Sequence, residues 1–210
     1  MSEPQRTVEV ERKYDADAET GLPVWDAVPG VVEVTAGEAR ALDARYFDSA
    51  DLALSRAGVA LRRRTGGPDE GWHIKGPREG DGRTEWGWPL GDDEGIPEEV
   101  HSAIARWTTA PLQPLARIEN ARTAYELRGE GGVIAEFVDD RVRTTDLRPA
   151  EQGGGAERAW REWEMELGPA GPSDPESRAA FFTAVETAVV AAGGRVSASS
   201  SKLGRALTGR

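Results

Sequence analysis

Five residues near the start of the chain, Glu9-Val10-Glu11-Arg12-Lys13, restrict the fold more than any other stretch. Val8, Val10 and Tyr14 mark residues 7–14 as a strand, because β-branched and aromatic side chains suit a pleated surface. Side chains on a strand alternate between faces, so Glu9, Glu11 and Lys13 project together. Residues two apart on one face stand roughly 6.6 Å apart, close enough for two carboxylates to share a metal ion. The same pattern is also the wet side of any half-buried strand. Its meaning depends on whether other strands repeat it.

They do. Arg62 and Arg64 alternate with Leu61 and Arg63, and His73 and Lys75 oppose Trp72 and Ile74. Arg83 and Glu85 share a face opposite Trp86, Trp88 and Leu90, and Glu162, Glu164 and Glu166 share one opposite Trp163, Met165 and Leu167. Glu136 and Asp140 agree in parity, while Asp139 next door is a rival for the same role. Each segment is a strand by its period of two. Together they describe a sheet with one face crowded by charges of both signs.

The rest of the chain reads as α+β. A strand over 38–47 leads to a short helix over 49–57, with Ser49 as N-cap and Gly58 past its end. Gly66-Gly67-Pro68-Asp69 and Gly80-Asp81-Gly82 are turns. A helix from about 95 to 107 carries Val100, Ile104 and Trp107 as its stripe. Strands over 115–127 and 133–143 form a hairpin around 129–132, and 151–156 is a glycine-rich mobile loop. A helix over 174–192 places Ala179, Phe182, Val185 and Val189 on one side and ends at Gly193-Gly194.

Residues 1–210 suffice for one domain with a substantial core. A net charge of −11 argues against nucleic-acid or anionic-membrane partners. There is no bilayer-spanning apolar run and no secretory signal in the polar first residues, so the expected location is the cytoplasm. With no cysteine and two histidines, any metal site must use oxygen ligands, which favours Mg²⁺ or Mn²⁺. If the apolar faces met each other, the protein would be a sandwich with charges in water. If the strands close into a barrel beneath helices, the charged faces line a lumen, and eight strands leave room for one small ligand.

In this order the segments resemble the CYTH domains, or triphosphate tunnel metalloenzymes, which include class IV adenylyl cyclases, thiamine triphosphatases and inorganic triphosphatases. The E-x-E-x-K signature is Glu9, Glu11, Lys13, and Tyr46-Phe47-Asp48 with Leu52-Ala53-Leu54 matches the tyrosine-bearing strand end. Leu61-Arg62-Arg63-Arg64, Trp72 to Lys75, Arg83 to Glu85, Arg122, the pair Glu164 and Glu166, and Ser201-Lys202 complete the series. The matches run from residue 7 to residue 207. The resemblance implies a closed eight-stranded antiparallel β-tunnel with helices outside. It also implies metal-dependent hydrolysis of a triphosphate (inorganic, nucleoside or thiamine), by a monomer or homodimer. A class IV-type adenylyl cyclase and a non-catalytic polyphosphate- or nucleotide-binding module are the alternatives.

Carried over residue by residue, the resemblance implies that Glu9, Glu11, Asp140, Glu164 and Glu166 hold Mg²⁺ or Mn²⁺. Lys13, Arg62, Arg64, Lys75, Arg83, Arg122 and Lys202 hold the triphosphate. A Lys13–Tyr46 pair or a carboxylate orients the attacking water. Glu85, Glu136 and Glu162 support these groups. Arginine forks suit phosphate oxygens, and surplus carboxylates suit a divalent ion, so a metal-bearing phosphate chain satisfies both sets.

Overall fold

The computed structural model describes residues 3–199 and 201–208. Its strands are β1 (Gln5–Ala16), β2 (Glu33–Val34), β3 (Glu38–Ser49), β4 (Ala60–Thr65), β5 (Gly71–Glu79) and β6 (Gly82–Trp88), followed by β7 (Leu112–Gly129), β8 (Gly132–Asp146), β9 (Glu157–Leu167) and β10 (Arg195–Val196). The helices are α1 (Ala53–Arg56), α2 (Glu98–Ile104), α3 (Pro175–Ala191) and α4 (Lys202–Thr208).

Eight strands close into an antiparallel barrel in the order β1-β6-β5-β4-β3-β7-β8-β9 and back to β1. The ring is completed on β1, whose residues 5–10 pair with β6 and whose residues 11–16 pair with β9. The short strands β2 and β10 are additions to β7 and β1. Closure settles the question that the alternation of the strands left open. The charged faces look into the barrel, and the apolar faces look out.

Helices cover that outward apolar face. On one side Tyr14, Phe137, Trp163 and Met165 pack beneath Phe181, Phe182, Val185 and Val189 of α3. On the other, Leu61, Trp72, Ile74 and Trp88 pack beneath Leu54 of α1 and Val100 and Ile104 of α2. Full burial of each such side chain contributes roughly 1.5–3 kcal/mol, so the outer shell carries most of the hydrophobic stabilisation.

Some boundaries differ from the sequence reading. The helix expected from residue 49 forms only over Ala53–Arg56, because Leu52 takes a left-handed conformation with φ 58°. The Asp48 carboxylate, not Ser49 alone, receives the free amides of Leu54 and Ser55, each at 2.9 Å. Ala179 of α3 is exposed, and Phe181 takes its place in the stripe. Asp174 caps α3 by accepting from the Ser177 amide at 2.9 Å. One helix departs from the expected position outside the barrel. Leu203 and Ala206 of α4 pack with Ala44, Tyr46, Ile118 and Val142, inward-facing residues, so α4 closes one end of the lumen. No helix of the described residues is long and apolar enough to cross a membrane.

Candidate active site

Strand register decides which charges meet. Across β1, β9, β8 and β7, Glu11 stands opposite Glu166, Glu166 opposite Glu136, and Glu136 opposite Glu126. Directly opposed side chains lie about 4.5–5.5 Å apart at Cβ, and like charges there repel. The next inward row places Lys13 opposite Glu164. The row beyond runs from Asp15 through Glu162 and Asp140 to Arg122 and Arg40. Tyr46 faces Arg62 across β3 and β4, and Lys75 faces Glu85 across β5 and β6.

These rows enclose a cavity of about 620 Å³. Its wall includes Glu9, Glu11, Lys13, Tyr46, Arg62, Arg64, Lys75, Arg83, Arg122, Glu136, Glu164, Glu166 and Lys202. Asp140, Glu85 and Glu162 are buried just beneath that wall, not on it. All sixteen residues singled out from the sequence thus converge on one lumen.

The site has two differently satisfied halves. Near α4 the ion pairs are complete. Lys202 lies 2.9 Å from Asp140, 2.6 Å from Glu162 and 2.8 Å from Glu164, while Arg122 forks onto both oxygens of Asp140 at 2.8 Å. Lys13 pairs with Glu11 at 2.9 Å and with Glu164. Burial opposes the charged form of Glu164, but Lys13, Lys202 and Arg122 outweigh it and hold the carboxyl well below its usual range. Burial likewise opposes charge on Lys13, which Glu164 and Glu11 nonetheless hold protonated. Oxygens of Asp140, Glu162 and Glu164 lie within 4.8 Å of one another, a grouping able to hold a metal ion. The Lys202 ammonium already sits among them.

Toward the other half, compensation is incomplete. Glu9 pairs with Lys75 at 2.6 Å, but among the described residues no cation pairs directly with Glu166. Burial raises the Glu166 carboxyl, and the adjoining Glu9 and Glu11 raise it further, to about 8. Its surroundings favour an added positive charge. Across the lumen the Nε–H groups of Arg40, Arg62 and Arg64 are buried without an acceptor among the described residues. Burial and repulsion from Arg62 and Arg122 bring Arg64 down to about 9. An unmade bond to a buried donor costs roughly 1–3 kcal/mol, so this wall is complementary to an anion that is not part of the protein.

Tyr46 is buried against this cluster. Burial opposes its ionisation, but the Arg62 guanidinium beside it, with help from Lys75 and Lys202, holds the phenol below its usual range. Arg83 is less free than its parity suggested: it donates to the carbonyls of Gly76 at 2.5 Å and Gly58 at 3.0 Å. Glu85 is a hub, 2.7 Å from His73 Nδ1, 3.2 Å from Lys75 and 3.8 Å from Arg62. Asp139, the rival to Asp140, points outward to Arg161 at 2.7 Å and to the Trp163 indole at 3.0 Å.

Sequence reasoning missed several wall residues, chiefly Arg40, Asn120 and Asp69. Arg40 was within reach of the same logic, because it shares the parity of Tyr46 on the predicted 38–47 strand. It pairs with Glu136 at 3.1 Å. Asp69 lies in a turn, where no periodicity announces which way a side chain points.

Comparison with known proteins agrees with this geometry. The CYTH domain family model matches residues 7–183. Two uncharacterised proteins of Mycobacterium tuberculosis, from strains CDC 1551 and H37Rv, are each 41% identical over 172 residues, 78% of this chain and 34% of theirs. The chain therefore spans about a third of the length of these curated relatives. Among solved structures, a candidate adenylate cyclase from Bacillus halodurans superposes with TM-score 0.61 at 18% identity, covering 95% of this chain and 97% of its own. HpAC1 from Hippeastrum, a candidate adenylyl cyclase with a dominant triphosphatase activity, gives TM-score 0.50 at 17% identity over 97% and 96% of the two chains. Both share the tunnel fold. By the family model and the closed charged barrel, the chain belongs to the CYTH domain family.

Proposed function

We propose that this protein is a metal-dependent triphosphatase, hydrolysing an inorganic, nucleoside or thiamine triphosphate held inside the barrel. One observation carries the reading. A single cavity sets the Nε–H donors of Arg40, Arg62 and Arg64, which have no acceptor among the described residues, across from Glu166, a carboxylate with no cation of its own among those residues, beside Glu9 and Glu11. A phosphate chain accompanied by a divalent ion completes both walls at once. The triphosphatase activity of HpAC1 supports the same reading.

Glu9, Glu11 and Glu166, with Glu164 at the margin, fit the metal, since an all-carboxylate set suits Mg²⁺ or Mn²⁺. Asp140 and Glu162 act at one remove, by holding Lys202 and Arg122 in place. When bound, the ion neutralises charge on the phosphate oxygens as the terminal group transfers. The remaining work is positioning and charge stabilisation, which phosphoryl transfer chiefly requires. Arg62 and Arg64 supply forked donors, and Arg122, whose fork is held by Asp140, joins Lys13, Lys75 and Lys202 in supplying positive charge. Lys13 is held protonated, so its role beside Tyr46 is that of a cation that orients, not of a base that abstracts.

The discriminating experiment is to incubate the protein with inorganic triphosphate, ATP and thiamine triphosphate in Mg²⁺ or Mn²⁺ and to identify every product. Orthophosphate from at least one of them is the expected result. Cyclic AMP from ATP supports the cyclase instead, and tight binding without turnover supports a binding module.

A further inference from the structure

The turn between β4 and β5 brings an acidic residue to the phosphate wall. Gly66 and Gly67 both take left-handed conformations, with φ 78° and 81°. A Cβ on Gly66 would come within 2.1 Å of the Ala41 carbonyl oxygen, so the turn is fixed closely against β3. It delivers Asp69 to the cavity wall, where its carboxylate pairs with Arg64 and its backbone carbonyl accepts a further bond from the same guanidinium at 3.3 Å. The partners are unequal in exposure: the Arg64 side chain is 7% exposed and that of Asp69 is 58%. Asp69 is the one anionic side chain within ion-pair distance of Arg64 among the described residues.

The turn is also tied inward. The Asp69 carbonyl lies 2.9 Å from His73 Nε2, and His73 Nδ1 lies 2.7 Å from Glu85, which in turn meets Lys75 and Arg62. The loop that carries the carboxylate is thus anchored to the cation cluster while the carboxylate itself faces solvent. One carboxylate does not saturate that cluster, since the Nε–H groups of Arg62 and Arg64 are still without acceptors.

We propose that Asp69 is an internal stand-in anion, occupying the Arg64 position that a phosphate group of the ligand takes over, and so sets the affinity of the site. This rests on the reading of the lumen as a polyphosphate site. On arrival of the ligand the exposed carboxylate swings to solvent and Arg64 transfers its fork to phosphate oxygens. While the site is empty, Asp69 shields the least compensated arginine from ambient anions. The ligand must therefore displace one charge-assisted contact before it gains its own, a restraint of the kind that raises selectivity by opposing weak competitors.

The test is calorimetric binding of inorganic triphosphate, at fixed Mg²⁺ and salt, to the unaltered chain and to Asp69→Asn, Asp69→Ala and Glu70→Gln. Removing the competing charge tightens binding by about fivefold in both Asp69 variants, the scale of a half-exposed ion pair. Glu70→Gln, which alters the neighbouring exposed acid, leaves affinity unchanged. A merely structural Asp69 gives the opposite sign, because loosening the turn weakens the site. Affinity that is unchanged or weaker in Asp69→Asn and Asp69→Ala overturns the stand-in role and leaves the proposed function intact. Absence of triphosphate binding by the unaltered chain overturns both.

Discussion

At Glu166 a carboxylate stands beside those of Glu9 and Glu11 with no cation of its own among the described residues, and its proton affinity rises from the ordinary 4.5 to about 8. The folded metal-free protein therefore holds a proton that the unfolded chain has released across that window. Stability falls as pH rises from about 5 to 8, because ionising the folded group costs free energy that the unfolded chain does not meet. Glu166→Gln carries no such charge, so urea midpoints at pH 5 and pH 8 converge in the variant and diverge in the unaltered chain. Equal divergence in both contradicts the assignment. The same group makes Mn²⁺ binding near neutral pH release about one proton, seen as a binding heat that varies with buffer ionisation enthalpy. Arg64→Ala removes a forked phosphate contact and weakens triphosphate affinity by roughly 1.5–3 kcal/mol, with the far-ultraviolet circular dichroism unchanged.

At the scale of elements, α4 connects the chain's C-terminal region to the site. Its first residue, Lys202, compensates Asp140, Glu162 and Glu164, and its Leu203 and Ala206 seal the barrel end. Lys202→Met leaves those buried carboxylates undercompensated, and chemical denaturation is expected to show a loss of roughly 3–5 kcal/mol. A loss within experimental error shows that the α4 end is more open to water than its burial indicates. The strands that build the site were legible because charge and apolarity alternate so plainly along them: Glu162, Glu164 and Glu166 against Trp163 and Met165 state both the strand and its two environments. The elements that were not legible lack such a period. The two-residue strands β2 and β10 are recruited by β7 and β1, and the truncation of α1 follows from a left-handed Leu52 that no pattern predicts. The place of α4 inside the barrel end rests on Leu203 and Ala206, two short apolar contacts whose meaning depends on the closed ring around them.

For the molecule as a whole, closure is the decisive feature. The alternation permits a sandwich or a barrel, and the pairing of β1 with both β6 and β9 selects the barrel. This choice turns polar outer faces into a lumen and assigns stability and function to opposite sides of the same strands. Trp72 is fully buried on the outer side of β5, next in sequence to inward-facing His73, and Trp72→Ala is expected to lower stability by roughly 3–5 kcal/mol. Parity found most members of the site, and the family resemblance added Tyr46, Arg122 and Lys202, but neither gave their pairing, because cross-strand partners depend on register, which no single strand contains. The family resemblance grouped Asp140 with Glu9 and Glu166, whereas the fold commits Asp140 to Lys202 and Arg122 and leaves Glu166 without a cation among the described residues.

The central claim, that the two incomplete walls of the lumen take a phosphate chain and a divalent ion together, is tested most directly by a crystal structure with inorganic triphosphate and Mn²⁺, located by manganese anomalous scattering. The account predicts a peak coordinated by Glu166 with Glu9 or Glu11, and phosphate oxygens on Arg62 and Arg64. Manganese and phosphate found only on the outer surface of the barrel would contradict it.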